Sequence, residues 1–164
     1  MRVLYASYFI VAATVAHAQS LPPEGNIDAT FTATNSNVLK PMSIGEGKDF
    51  TVINQSMIAV NAAGNPVLNN MGGRCALTRT SDGKSVDIRG WCTYADKDGD
   101  EIFEKCDIVF PTSPKCTLSG GTGKFEGIQA ELRITSTPMK GTYEGINQSI
   151  GTKKGSYKIV KTTH

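Results

Sequence analysis

Residues 85–110 read SVDIRGWCTYADKDGDEIFEKCDIVF, and this stretch decides the fold class. Apolar and polar side chains alternate on both sides of Asp98-Gly99, a dipeptide that favours a tight hairpin turn. A period of two residues is typical of a strand with one buried face and differs from the 3.6-residue period of a helix. The stretch therefore predicts two antiparallel strands. One face of the second strand holds Ile102, Glu104, Cys106, Ile108 and Phe110.

The same pattern continues outward from this hairpin in both directions. Residues 51–61 also fit a helical stripe, but their β-branched content and the flanking glycines favour a strand. Many short strands with regular turns are typical of an all-β barrel or sandwich. We expect an eight-stranded antiparallel barrel, which has no free strand edge and can hold one small ligand. The predicted strands are 26–34, 51–61, 74–80, 85–94, 102–110, 116–119, 130–137, 141–148 and 155–162.

The length, composition and net charge of the chain limit the class of protein to which it can belong. The chain has 164 residues, of which 39% are hydrophobic and 20% are charged, with a net charge of +2. These values predict one domain, and they exclude a disordered tail and a polytopic membrane protein. A charge this small gives no indication of a nucleic-acid partner.

The first residues have the pattern of a secretory signal peptide. Arg2 precedes an uncharged apolar run, and Ala16-His17-Ala18 fits the small-x-small cleavage pattern before Gln19. The apolar run is too short to span ~30 Å of hydrocarbon, so we expect cleavage and no stable membrane insertion afterwards. We therefore predict a signal peptide at 1–18 and a single barrel domain at 19–164, located in the periplasm or secreted.

Cleavage would leave His164 as the single histidine of the mature chain. Ser-His-Asp and Cys-His machinery and His-ligated metal sites all need a positioned imidazole. The sequence therefore indicates a protein without a cofactor, in which any chemistry would use carboxylates, Tyr, Lys, Arg, amides or water.

The cysteines predict disulfide staples, because export places them in an oxidising compartment. A hairpin that turns at 82–85 places Cys75 opposite Cys92. A turn centred near Pro111 places Cys106 near Cys116. We favour this pairing, while a bridge between Cys92 and Cys106 around Gly99 remains open.

Two clusters of polar residues are candidate sites. Asp96, Asp98 and Asp100 form an acidic loop that could hold calcium, but the glycine is not where an EF-hand needs it. We therefore expect a solvated hairpin turn and no metal, with calcium as the alternative. The basic stretch Lys153-Lys154, continued by Lys158 and Lys161, predicts a solvated edge strand.

Glu104 is the candidate catalytic residue. If its face of the strand points inward, the carboxylate is buried, and buried carboxylates are candidates for general acid/base work. Alternatively Phe103 and Val109 point inward and Glu104 is solvated. The candidate ligand-binding residues, which could reach Glu104 or line an apolar site, are Arg74, Trp91, Tyr94, Phe103 and Glu104 itself.

Two stretches resemble a known group of proteins. Residues 120–128, GGTGKFEGI, resemble the "GGTGxFxG" segment of the allene oxide cyclase and dirigent barrel superfamily. Residues 91–103, WCTYADKDGDEIF, resemble the "CxYxDxDGDxxF" stretch of its small exported bacterial members. The resemblance implies a calycin-type eight-stranded barrel with an interior cavity, and often a homo-oligomer. Allene oxide cyclases close an oxylipin ring in that cavity, whereas dirigent proteins steer the coupling of phenoxy radicals without oxidising them.

These observations lead to three functional hypotheses. We expect an exported barrel that binds a small apolar or aromatic molecule in its cavity, without catalysis. The first alternative is a cofactor-free isomerase or cyclase that uses Glu104 and a bound water. The second alternative is a structural or interaction module of the cell envelope.

Overall fold

The computed structural model describes residues 21–38, 40–139 and 146–160. The predicted signal peptide and His164 lie outside these residues. Among the described residues, no helix has the length and apolar character needed to span a membrane. A short 3-10 turn covers Gly123–Phe125. The strands are β1 Glu24–Asn37, β2 Met42–Ser43, β3 Asp49–Asn61, β4 Met71–Ser81, β5 Val86–Ala95, β6 Glu101–Phe110, β7 Ser113–Gly121, β8 Ile128–Met139 and β9 Ile146–Ile159.

Eight strands close into an antiparallel barrel. The sheet order is β1-β9-β8-β7-β6-β5-β4-β3, and β1 also pairs with β3, so the first strand joins the two edges. Phe31 of β1 lies opposite Gly151 of β9 on one side and Ala59 of β3 on the other. The two-residue strand β2 adds to β3 alone. The prediction of an eight-stranded antiparallel barrel is confirmed.

The last strand corrects the sequence prediction. Residues 141–148 and 155–162 are predicted to form two strands, but β9 runs without a break through Gly151 and Gly155. Residues 141–145, 161 and 162 lie outside the described residues. Because Gly151 and Gly155 have no side chain, neighbouring strands and side chains can approach β9 closely at these positions. A Cβ at position 151 would lie 2.5 Å from the ring of Phe31 and 2.1 Å from the carbonyl oxygen of Thr135.

The two ends of the barrel differ. At one end, here called the closed end, the connections 62–70 and 122–127 place apolar side chains over the interior. Val67, Leu68 and Phe125 are all fully buried there. The opposite end, here called the mouth, lies where β4 turns into β5 and β6 into β7. A molecule that enters the barrel at the mouth therefore first meets the parts of these strands that lie next to the two turns.

Two disulfides join neighbouring strands inside the barrel. Cys75 of β4 is bonded to Cys92 of β5, and Cys106 of β6 is bonded to Cys116 of β7. Each pair lies directly opposite in the strand register, and all four residues are buried. This is the pairing that the hairpin turns favoured over a bridge between Cys92 and Cys106.

Candidate functional site

Three polar side chains from three strands meet inside the barrel. Tyr94 on β5 and Glu104 on β6 are 0% exposed, and Lys153 on β9 is 2% exposed. Lys153 Nζ donates to the Tyr94 hydroxyl oxygen at 2.6 Å and also to Glu104 Oε2. The Tyr94 hydroxyl lies 2.9 Å from Glu104 Oε2 and can donate to it. We call these residues the interior triad, in which an ammonium group and a carboxylate neutralise each other.

Sequence analysis missed Lys153, because the basic C-terminal stretch was expected to be solvated. In a strand, consecutive side chains point to opposite faces, so a Lys-Lys pair in a barrel wall must send one lysine inward. Lys154 is the outward one and pairs with Asp28 at 3.1 Å. Lys154 is therefore solvated as predicted and Lys153 is not, and the Lys-Lys doublet was the signal in the sequence. The prediction of an edge strand is wrong, because β9 pairs with both β1 and β8. Lys161 lies outside the described residues.

Tyr94 is held by close packing against a glycine. A Cβ at Gly73, which lies opposite Tyr94 on β4, would come within 2.7 Å of the tyrosine ring. The hydroxyl also lies 2.9 Å from the Met57 sulfur. Burial, and then the negative charge of Glu104, raise the pKa of Tyr94 well above its usual value. Its hydroxyl therefore stays protonated and remains a hydrogen-bond donor.

The two carboxylate oxygens of Glu104 have different surroundings. Oε2 receives the hydrogen bonds from Lys153 and Tyr94 and lies 3.5 Å from Cys106 Sγ. Oε1 is buried without a hydrogen-bond partner. Cys92, Cys106 and Glu104 are close enough together to resemble a metal site. Both sulfurs are used in disulfides, however, so they are not thiolate ligands.

A small cavity lies between the interior triad and the mouth. Its volume is about 70 Å³, and Lys153 is the triad member that lines it. Since one water occupies ~30 Å³ in the liquid, the cavity holds a molecule of only a few heavy atoms. Most of its wall is apolar, with Phe31, Met57, Leu77, Ile88, Ile108, Phe110, Ile134 and the cysteines Cys92, Cys106 and Cys116.

A larger concavity of about 970 Å³ opens on the wall near the closed end. Tyr157 lines it, and the Tyr157 hydroxyl is buried without a hydrogen-bond partner. Outward-facing side chains such as Glu24, Gln129 and Lys158 form much of the remaining surface. We therefore regard the cavity at the mouth, which has a buried lysine in its wall, as the better candidate site.

The predicted ligand-binding residues fall on two different surfaces. Tyr94 and Glu104 point into the barrel, whereas Arg74, Trp91 and Phe103 point outward. Trp91, for example, is 55% exposed. Each outward residue directly neighbours an inward one in the chain, so the alternation of a strand separates them. Arg74 is therefore not a partner of Glu104, and Trp91 and Phe103 do not line the interior cavity.

The acidic loop surrounds a lysine. Lys124 Nζ lies 2.5 Å from Asp96, 3.0 Å from Asp98 and 3.1 Å from Asp100. We call these four residues the acidic clasp. The ammonium group fills the position that a cation would take between the carboxylates, which favours the turn interpretation over the calcium site.

The pKa values of the acidic clasp follow from these contacts. The hydrogen bond to Asp96, followed by those to Asp98 and Asp100, raises the pKa of Lys124 despite partial burial. Burial alone would raise the pKa of Asp96, but hydrogen bonds from Lys124 and from backbone N–H groups lower it. Lys97 and then Lys124 lower the pKa of Asp98. Lys124, Asp96 and Asp98 are therefore charged at neutral pH.

The acidic clasp also joins the two stretches that carried the family resemblance. Thr122 Oγ1 accepts a hydrogen bond from the Glu101 backbone N–H at 2.8 Å. Asp100 approaches Gly123 so closely that a Cβ there would lie 2.0 Å from the carboxylate. The glycine-rich segment and the acidic hairpin are thus two halves of one contact, which fixes the connection containing Phe125 over the closed end.

Comparison with known proteins identifies the fold. No protein-family model and no curated protein sequence matches the chain. Among solved structures, the pterocarpan synthase dirigent protein GePTS1 superimposes with a TM-score of 0.50, over 87% of this chain and 91% of that one. The chain has a dirigent-like barrel fold. The sequences are 10% identical, so the likeness concerns the fold of the dirigent-like barrel and not its side chains. The closer resemblance to allene oxide cyclases and to bacterial members stays a prediction.

Proposed function

We propose that this dirigent-like barrel binds a small apolar or aromatic molecule in the cavity at its mouth, and that it does so without catalysis. The observation that carries the proposal is a mostly apolar cavity whose wall includes one buried lysine, Lys153. Ligand sites combine mostly apolar walls with a few polar groups that orient the ligand. Here the walls supply affinity and Lys153 supplies orientation.

The size of the cavity restricts the ligand. Typical ligand pockets have volumes of roughly 300–1,000 Å³, well above the 70 Å³ found here. The ligand is therefore either very small or enters as side chains at the rim change rotamer. Gln55 and Phe110, which line the cavity and are only partly buried, are the side chains best placed to move.

We further propose that the protein works outside the cytoplasm, in the periplasm or as a secreted protein. Two disulfides need an oxidising environment to persist, and the pattern of residues 1–18 supports export. The partner that we propose is the small molecule, with no nucleic acid.

A homo-oligomer has support on the outer face. Ile58 of β3 and Ile150 of β9 flank Thr32 of β1 in the strand register and are 60% and 43% exposed. This uncharged row also favours the alternative of an envelope interaction module. Light scattering of the wild type and of Ile58→Lys measures whether the row is an interface.

A cofactor-free isomerase or cyclase is the other alternative, and the position of Glu104 favours it. The carboxylate points inward and keeps Oε1 free of partners. However, Lys153 and not Glu104 lines the cavity, so a ligand there meets the ammonium group first.

The binding proposal is tested with benzene and indole as probes of increasing size. Methyl NMR shifts and native mass spectrometry of the disulfide-intact protein report on their binding. Ile134→Phe fills the cavity, and Thr135→Phe places the same ring on the outer face of the same strand. We expect Ile134→Phe to abolish binding and Thr135→Phe to retain it. Absence of binding to the wild type, or equal binding to both variants, would show that the proposal is wrong.

A further inference from the structure

Lys153 has an environment that is unusual for a lysine. Lysine is rarely fully buried unless paired, and an ammonium group carries three N–H donors. Two of these donors serve Tyr94 and Glu104, and the residue also lines the cavity. The side chain is therefore both fixed in place and able to contact a molecule in the cavity.

Lys153 and Glu104 are also placed to exchange a proton, since Nζ donates a hydrogen bond to Oε2. Two opposite charges in an apolar interior lose their hydration, whereas a neutral amine and a neutral acid lose much less. Transfer of the proton along this hydrogen bond, from Nζ to Glu104, would leave a lysine amine with a free lone pair. Tyr94 keeps its own proton, because burial raises the pKa of its hydroxyl. A desolvated lysine amine of this kind is a nucleophile towards carbonyl groups.

We propose that Lys153 forms a Schiff base with a small aldehyde or ketone that enters the cavity, an inference that rests on the proposed ligand-binding function. Nζ attacks the carbonyl carbon, and Glu104 passes a proton to the carbonyl oxygen to give a carbinolamine. The carbinolamine nitrogen returns one proton to Glu104, and Glu104 passes it to the hydroxyl group. The C–O bond then breaks and water leaves, which gives an iminium ion whose nitrogen keeps one proton and stays paired with the Glu104 carboxylate. One amine, one carbonyl and the proton held by Glu104 thus give one iminium ion, one water and the Glu104 carboxylate, without oxidation or reduction.

The cavity restricts the carbonyl compound. A volume of about 70 Å³ accommodates a chain of only a few carbon atoms beside Nζ. The interior triad has no net charge, so a carboxylate or phosphate on the ligand would bring an uncompensated charge into an apolar cavity. The ligand class is therefore a neutral, short aldehyde or ketone.

Lys154 provides an internal control for the experiment. It is the next residue in the chain, points outward and pairs with Asp28. The folded, disulfide-intact protein is incubated at neutral pH with propanal and cyanoborohydride, which reduces the iminium to a stable propyl-lysine. Peptide mass spectrometry then gives the labelling rate at each lysine. We expect Lys153 to react at least about tenfold faster than Lys154. Labelling of Lys154 without labelling of Lys153 overturns the inference.

Two variants separate chemistry from access. Glu104→Gln removes the group that accepts the proton from Nζ and passes it to the carbonyl oxygen, and it is expected to slow labelling at Lys153 by about tenfold or more, with no change at Lys154. Ile134→Phe blocks the cavity and is expected to protect Lys153 while the triad stays intact, which covers the case in which Glu104→Gln does not fold. Unchanged labelling of Lys153 in a folded form of either variant contradicts the inference. Benzene binding without labelling at Lys153 disproves the Schiff base and leaves the binding function standing, whereas loss of both disproves the binding function as well.

Discussion

Lys153 on β9 donates a hydrogen bond to the carboxylate of Glu104 on β6, a residue 49 positions earlier in the chain and separated from it by β7 and β8. The ion pair therefore spans the interior of the barrel and links two walls. Buried ion pairs gain little net stability, because desolvation offsets most of their attraction. Their loss, in contrast, leaves one buried charge without compensation.

We predict that Lys153→Met and Glu104→Gln each lower the free energy of unfolding by about 3–5 kcal/mol. The double variant removes both charges and should be less destabilised than the sum of the two single changes. Chemical denaturation of the four proteins measures this coupling. Lys154→Met, which removes only an exposed partner of Asp28, should change stability by less than about 1 kcal/mol. Additive single changes would contradict the buried pair.

We predict that Gly73→Ala disturbs Tyr94. The new methyl group would lie 2.7 Å from the tyrosine ring, so the ring must leave its present place in the interior triad. Overpacking of this kind destabilises by about 1–3 kcal/mol. Gly72→Ala is the matched control, because its methyl group would point into open space. Denaturation midpoints decide the matter, and equal effects of the two substitutions would show that the contact is not tight.

We predict that Lys124→Met lowers stability by about 1 kcal/mol at neutral pH, because it leaves the three carboxylates of the acidic clasp without their shared cation. The pKa values of Asp96 and Asp98 are lowered in the folded protein. Their contribution is therefore present above the ordinary carboxyl pKa near ~4 and is lost as the pH falls through the folded values. The pKa of Lys124 is raised, so its contribution is complete below the ordinary lysine value near ~10.4 and is lost only in more alkaline solution.

The stability difference between wild type and Lys124→Met should consequently be largest between about pH 5 and pH 10 and should vanish in acid. Urea denaturation across this range measures it. Lys97→Met is the control, because Lys97 contacts Asp98 from an exposed position. A calcium chelator should leave the wild-type melting temperature unchanged. A chelator-sensitive melting temperature would mean that the loop binds calcium in spite of Lys124.

We predict that the cysteines act in pairs. Cys75→Ala and Cys92→Ala each break the same bridge, so either change should cost about as much as both together, roughly 2–5 kcal/mol. Cys75→Ala and Cys106→Ala break different bridges and should be closer to additive. Non-reducing peptide mapping provides a check without stability data. A linked peptide pair that joins Cys92 to Cys106 would contradict the observed register.

Much of the barrel could be predicted from local patterns. The alternation in residues 85–110 identified the β5–β6 hairpin, and the turns identified both disulfide pairs. The same alternation placed Glu104 on one face together with Ile102 and Ile108, which proved to be the inner face. The predicted break between residues 148 and 155 was wrong, since Gly151 lies within β9 and makes room for Phe31.

The sequence by itself determined the alternating strands of the central hairpin and favoured the observed partners of the cysteines, because both depend on side-chain alternation and on turns a few residues long. Only the tertiary structure decided which lysine of the Lys153-Lys154 pair points inward and which residue fills the acidic loop. Alternation makes the two faces of a strand equivalent until barrel closure assigns one of them to the core. Contacts such as Lys153 with Glu104 and Lys124 with Asp98, 26 residues apart, depend on how distant strands and connections meet in space, which no local pattern encodes.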